Sequence, residues 1–207
     1  MLLFKAKSKG AWSIRNKEKK IKIEKRNRCL HNLFIKLYFI AMEICVTRFS
    51  EATFNENRLW LKNNNSSLGC IYGTPIKVSD LIDPNTQLLV LEMNNTNNCI
   101  EGIGIVKNNL VKENRKYYKI YSINNYNRYI YKSNYRIDRK NFTSYENEII
   151  ELLEDYLFKS AYHCKRGQGI QKLPKKVVNN EEFDFVKFLI AMYKNRFVTI
   201  KNIKIMH

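Results

Sequence analysis

Apolar residues recur in many short runs along the middle of the chain, and Asn-rich or Ser-rich stretches separate them. Short runs rich in β-branched and aromatic residues predict strands. The predicted strands cover residues 44–49, 68–72, 75–78, 87–93, 99–106, 116–122, 128–132 and 135–138. The clearest pair is 87–93 and 99–106, which the polar loop 94–98 joins into a hairpin. Short strands at roughly ten-residue spacing favour a small barrel, closed or nearly closed.

Helix signals stand at both ends of this strand-rich region. Capping boxes predict two helix starts, at Thr53 with Glu56 and at Thr143 with Glu146. Trp60 lies on the first of these helices, and Asn180 is a candidate N-cap for a further one. Residues 197–205 are expected to close the chain as a strand. The predicted fold class is therefore α+β, with a small β-barrel over 42–142 and a C-terminal helical subdomain over 143–207 packed on it.

The charge balance indicates the class of partner. The chain has 37 Lys and Arg against 19 Asp and Glu, a formal net charge of +18. Residues 1–41 hold twelve of the cations and two Glu, a balance of +10, which leaves +8 for the rest. We interpret 1–41 as a basic arm or as an extension of the reading frame upstream of Met42. An excess of this size points to polyanions, and to nucleic acid first.

Cysteine usage and hydropathy bear on the compartment. The chain has five cysteines, an odd number at wide spacing with no CxxC pair. This pattern predicts free thiols in a reducing compartment. No apolar run approaches the length of a membrane span, so no membrane contact is expected. We expect an intracellular protein of the cytoplasm or nucleus, or a virus-particle component if the source is viral. Abundant Asn, Lys, Ile and Tyr indicate an AT-rich genome, such as that of a large DNA virus, a protist or a low-GC bacterium.

A Tyr-rich stretch gives the main functional signal. Tyrosines alternate there with Arg and Lys between residues 115 and 139. Bases stack on aromatic rings while cations take phosphates, which is the chemistry of single-strand binding. Tyr126 lies in an Asn-rich turn, and Arg128, Tyr129, Lys132 and Arg136 follow on predicted strands. The alternative is that these tyrosines are core residues and the charges form an ordinary solvated face.

Three glycine-containing or polar stretches add candidates. Lys165 and Arg166 precede a Gly-Gln-Gly turn that can wrap a phosphate, although the same residues would also suit a helix C-terminus capped by Gly167. Gly102 and Gly104 either admit a ligand close to the strand, or mark a bulge or a helix that packs tightly on the strand. Asn94 and Asn95 open the hairpin loop.

The order of these features from residue 44 to 139 resembles the PUA-like superfamily, which holds PUA, ASCH, EVE and YTH domains. The resemblance is carried by the first strand, the helix with Trp60, the stretch Gly69-x-x-Tyr72-Gly73, the strand 88–91 and the return strand with Gly102-x-Gly104. It implies a pseudobarrel whose mouth accepts a base or a modified nucleotide. The aromatic cage of YTH members is rich in Trp, whereas Trp60 is the only Trp after residue 41, so a methyl-base cage is not carried over.

These observations predict a non-enzymatic nucleic-acid-binding module for RNA or single-stranded DNA, without cofactor or metal. The predicted contact residues are Trp60, Tyr72, Asn94, Asn95, Tyr126, Arg128, Tyr129, Lys132, Arg136, Lys165 and Arg166. The alternative is a structural or interaction protein, such as a minor virus-particle component, whose basic surface meets protein partners or packaged genome. A nuclease would need a carboxylate cluster, which the sequence does not place. His163 and Cys164 lack a second ligand pair at zinc spacing.

Overall fold

A computed structural model describes residues 42–64, 67–111, 118–160 and 163–205, with side chains described as far as residue 196. The prediction for residues 1–41 lies outside this range, as do Arg115, Lys116 and Tyr117 of the Tyr-rich stretch. The fold class is α+β, as the sequence predicts.

The larger sheet has five strands in the order β6-β4-β3-β1-β7. Its strands are β1 (Met42–Phe49), β3 (Gln87–Asn94), β4 (Cys99–Lys107), β6 (Arg136–Asp138) and β7 (Gln171–Lys172). The predicted hairpin is confirmed as the antiparallel pair β3 and β4, while β1 runs parallel to β3. Seven of the eight β3 residues are buried, so this strand lies at the centre of the core.

The second sheet pairs β2 (Cys70–Thr74) with β5 (Tyr129–Ser133), antiparallel. Residues of this pair share a core cluster with β1, β3 and β4, which includes Tyr72, Tyr131 and Val90. Neither sheet of the described residues closes on itself, so the predicted small barrel is not confirmed. What the structure shows is a mostly open five-stranded sheet with a two-stranded sheet beside it.

Two predicted strands are wrong. Residues 75–78 are irregular, because Pro75 and the turn after it break the ladder that begins at Thr74. Residues 118–122 are also irregular. The amides of Ile120 and Tyr121 donate to Asn127 Oδ1 at 2.9 and 3.0 Å, so one side chain supplies the acceptors that a neighbouring strand would otherwise provide.

Four helices complete the described part of the chain: α1 (Glu51–Asn63), α2 (Ser144–Glu154), α3 (Lys175–Val178) and α4 (Phe185–Ile205). A π-helical turn, Asp155–Lys159, extends α2. The capping box of α2 is confirmed at Thr143 and Glu146. That of α1 begins earlier than predicted, at Ser50 with Thr53.

The end of the chain departs from the sequence prediction. Residues 197–205 belong to α4 and are not a strand. The N-cap of α4 is Asp184, whose carboxylate accepts from the Lys187 amide at 2.8 Å, while Asn180 Oδ1 caps the turn before it through the amides of Glu182 and Phe183. β-branched residues lower helix propensity only slightly, so a helix that is already nucleated continues through them.

Candidate functional site

A cleft of about 210 Å³ opens where β1 ends and α1 begins. Arg48, Ser50 and Thr53 line one side of it, and Thr74, Pro75 and Tyr126 line another. The loop Gly167–Gly169 and the side chain of Asn95 complete the lining. Because β1 runs parallel to β3, the carboxyl ends of two strands and the loops that follow them meet at this edge of the sheet.

Arg48 gives the cleft its charge. Its Nε–H donates to the Cys164 carbonyl, and no other partner of the guanidinium is found among the described residues. The group is half-buried, and burial lowers the pKa of the guanidinium below its ordinary value, an effect that Cys164 partly offsets. None of the described lining residues is Asp or Glu. A half-buried cation with unused donors and no carboxylate beside it is a site for an anion.

The loop after residue 164 forms the second wall. Gly167 and Gly169 have φ of +121° and +70°, a region that other residues rarely adopt. A Cβ on Gly169 would also lie 3.0 Å from the Ile76 side chain. Helix α2 with its π-helical turn ends at Lys159, so the loop is not the helix C-terminus that the sequence also allowed. Lys165 and Arg166 therefore stand beside a fixed glycine turn at the cleft.

Asn95 ties this loop to the β3–β4 hairpin. Its Nδ2 donates to the Lys165 carbonyl at 2.9 Å, which fixes the orientation of the amide. Its Oδ1 has no hydrogen-bond partner among the described residues. Asn95 and Arg48 both line the cleft, and each has a buried polar atom, Oδ1 and Nη1, without a hydrogen-bond partner among the described residues.

Tyr126 forms the aromatic wall. Its ring meets that of Tyr121 edge-to-face, with centroids 6.1 Å apart. Tyr121 is buried and its hydroxyl accepts from Asn57 Nδ2 at 3.0 Å, so it holds Tyr126 in place. Tyr126 itself is half-buried in the 3₁₀ turn Asn124–Asn127. The structure therefore places this predicted stacking residue in the cleft.

A cationic cluster adjoins the cleft on the β2–β5 side. Thr74, which lines the cleft, pairs with Tyr129 across the two strands. The ring of Tyr129 carries Arg128 at 5.4 Å and Lys77 at 5.7 Å from its centroid. Cations occupy this ring, so Tyr129 is less suited to stacking on a base than Tyr126. Arg128 and Lys77 are exposed and can meet phosphates.

Two predicted contact residues lie together at a different place. Trp60 packs against Tyr118, with ring centroids 5.8 Å apart. Lys132 donates to the Tyr118 hydroxyl at 2.8 Å and lies 5.1 Å from the centre of its ring. No described lining residue of the cleft belongs to this group. These contacts give Trp60 and Lys132 a packing role.

Three predicted contact residues are corrected by burial. Tyr72 is 1% exposed and its hydroxyl donates to Glu92 at 2.9 Å. Arg136 forms a bidentate pair with the same carboxylate, and only 6% of its side chain is exposed. Asn94 is fully buried, and its Nδ2 donates hydrogen bonds to the carboxylates of Glu51 and Glu101. All three are engaged inside the fold and do not reach a ligand at its surface.

The glycines of β4 belong to this buried network. A Cβ on Gly102 would lie 2.5 Å from Arg136 Nη2, and one on Gly104 would overlap the Tyr72 hydroxyl. Both glycines therefore make room for side chains and not for a ligand. The nearest neighbours of these glycines are atoms of strand residues and not of a helix, and a register shift typical of a β-bulge lies beside Gly102.

Sequence reasoning missed Arg48 and Lys77. The signal for Arg48 was available as a lone cation near the end of the apolar strand 44–49. Among the described residues no group of three or more His, Cys, Asp or Glu side chains is placed to hold a metal ion. None of the described helices has the length and apolarity needed to cross a membrane.

Comparisons with protein-family models, with curated proteins and with solved structures find no match to this chain.

Proposed function

We propose that this chain is a non-enzymatic nucleic-acid-binding module that holds a single strand of RNA or DNA at the cleft. Arg48 carries the proposal, because its unused donors lie in a cleft whose described lining includes no acid. A phosphate is the group of nucleic acid that such a guanidinium recognises.

The cations at the rim of the cleft favour a nucleic-acid strand as the ligand over an isolated anion. Lys165 and Arg166 precede the glycine loop that lines the cleft, and Arg128 and Lys77 lie over the ring of Tyr129, the strand partner of the lining residue Thr74. Arg166, Arg128 and Lys77 are exposed, and exposed cations next to a cleft fit successive phosphates of one strand. Tyr126 offers the ring on which a base can stack, worth about 1–3 kcal/mol per base.

The resemblance to the PUA-like superfamily remains a hypothesis about ancestry and about a base-accepting pocket. The open sheets do not support the pseudobarrel that it implies. The proposal therefore places a base at the Tyr126 wall of the cleft and not inside a barrel. Reading of a modified base there is a finer form of the same hypothesis.

The test is a titration of a labelled single-stranded oligonucleotide at several salt concentrations. Arg48→Gln should weaken binding about tenfold or more, because charge-assisted hydrogen bonds contribute about 1.5–3 kcal/mol. Arg166→Gln should weaken it less and reduce the slope of log affinity against log salt by about one phosphate's share.

Lys140→Gln is the matched control, since it removes one charge next to β6, at the sheet edge opposite β1 and β7. We expect it to bind within about twofold of the parent, as exposed residues away from a site have small effects. Absence of binding by the parent, or an affinity that does not change with salt, would overturn the proposed function.

A further inference from the structure

The cleft is too small for several linked nucleotides, and its guanidinium suits a phosphate monoester better than an internal phosphodiester. Resting on the proposed function, we infer that the cleft takes the end of a strand, with a terminal phosphate monoester on Arg48 and the adjoining nucleoside against Tyr126. Internal phosphodiesters would lie on the exposed cations of the rim.

The volume supports one nucleotide unit. The cleft measures about 210 Å³, below the roughly 300–1,000 Å³ typical of sites that enclose a drug-sized ligand. A phosphate with part of its nucleoside fits this space, whereas several linked nucleotides do not. The strand must therefore leave the cleft after its first unit.

The donors of Arg48 suit a monoester better than a diester. Nε donates to the Cys164 carbonyl, and Nη1 is buried without a hydrogen-bond partner among the described residues. A terminal phosphate has three acceptor oxygens and about −1.5 to −2 charge at neutral pH, and an internal one carries a single charge. In a partly desolvated site this extra charge strengthens the attraction to the guanidinium.

Asn95 sets the direction of the bound nucleotide. Its Oδ1 is a buried acceptor at the cleft lining without a partner among the described residues, and the bond from Nδ2 to Lys165 prevents the amide from turning. A phosphate oxygen beside Oδ1 would be repelled, whereas a ribose hydroxyl or a base N–H would donate to it. The phosphate therefore belongs at Arg48, and the nucleoside at Asn95 and Tyr126.

The experiment uses the full chain and three single-stranded probes of one sequence, with a 5′-phosphate, a 3′-phosphate or hydroxyls at both ends. We expect one phosphorylated probe to bind about tenfold tighter than the hydroxyl probe, the factor that one charge-assisted contact provides. The phosphorylated probe that binds more tightly identifies which end of the strand enters the cleft. A nucleoside monophosphate with its phosphate at the same position, 5′ or 3′, should compete with that probe for the cleft.

Arg48→Gln should remove the preference for the phosphorylated probe and leave weaker binding through the rim. Arg166→Gln should weaken all three probes together and keep the ratio between them. Thermal melting of each variant reports whether it folds. If Arg48→Gln does not fold, Tyr126→Ala is the second variant, and it should weaken the nucleoside monophosphate while leaving inorganic phosphate unchanged.

Equal affinity of the parent for all three probes would overturn this inference and leave the proposed function standing. A preference that persists in a folded Arg48→Gln protein would also overturn it, because the end would then be recognised elsewhere. Failure of every probe to bind would overturn the proposed function itself.

Discussion

Glu92 is a carboxylate at the centre of the most deeply buried strand. It accepts from Arg136 at 2.8–3.1 Å and from Tyr72, and Arg58 lies 3.7 Å away. Burial alone would raise the pKa of this carboxyl, but Arg136 and Arg58 hold it below 4.5. The group is therefore ionised inside the core, and its partners depend on that charge.

Glu92→Gln should lower the free energy of unfolding by about 3–5 kcal/mol, because it leaves the Arg136 guanidinium buried without its counterion. Urea denaturation measures the change. Glu43→Gln is the control, since Glu43 pairs with Lys172 at 2.9 Å where both side chains are about 40% exposed. That change should cost less than about 1 kcal/mol. Similar losses for the two variants would mean that the buried network adds no stability.

Gly104 and Tyr72 should behave as a coupled pair. Gly104→Ala places a methyl group against the Tyr72 hydroxyl and should cost about 1–3 kcal/mol. In a Tyr72→Phe background the same change should cost less, because the atom it meets most closely is gone. A double-mutant cycle by urea denaturation measures the difference. Strict additivity would show that the hydroxyl is not what requires glycine at this position.

Two helices are joined through one carboxylate. Glu146 accepts from the Thr143 amide at 2.8 Å in the capping box of α2, and its two oxygens also accept from Arg196 of α4 at 2.5 Å. Burial alone would raise the pKa of Glu146, but the bonds from Arg196 and Thr143 hold it below 4.5. The side chain therefore both starts α2 and fixes the position of α4.

The pH dependence of stability should report this link. A carboxyl whose pKa is lowered by folding stabilises the protein above its unfolded pKa, near 4.5, and this contribution is lost as the pH falls through the folded value. Glu146→Gln keeps the capping box and removes the ion pair. Its stability deficit should be largest at neutral pH and should shrink below about pH 4.5. A deficit that stays constant down to pH 3 would contradict this assignment.

Local signals in the sequence were enough for the elements that local interactions determine. The hairpin follows from two apolar runs around an Asn-rich loop, and the start of α2 follows from Thr143 and Glu146. Segment 118–122 could not be predicted as irregular, because its acceptors come from the side chain of Asn127. Segment 197–205 has strand-like residues but continues a helix that starts well before it.

The candidate site divides in the same way. Residue type and spacing were enough to single out Tyr126, which lines the cleft, and Arg128 and the Lys165–Arg166 pair, which stay predictions. They could not separate those residues from Tyr72 and Arg136, because burial against Glu92 depends on contacts between distant parts of the chain. Arg48 was missed because its burial, and the lack of a partner for Nη1 among the described residues, depend on neighbours from distant parts of the chain.

On the scale of the whole molecule, the charge is concentrated in residues 1–41, which carry +10 of the +18. A protein that starts at Met42 should therefore show a gentler salt dependence of oligonucleotide binding than the full chain. It should melt at a similar temperature, since the core described above lies wholly after residue 41. Loss of folding in the shortened protein would show that residues 1–41 belong to the domain, and an unchanged salt slope would show that they contact no phosphates.

The parallel pairing of β1 with β3 has a consequence for the order in which the chain assembles. Met42 lies opposite Gln87, 45 positions later, whereas the two strands of the β3–β4 hairpin are joined by a short turn. Closing the longer segment costs more chain entropy, so we expect the hairpin to form first and β1 to join it afterwards. Until then the apolar face of β1 has no partner, which makes Ile44 and Val46 the residues most exposed to misassociation during synthesis. Pulse-labelled hydrogen exchange should find amides of β4 protected before those of β1.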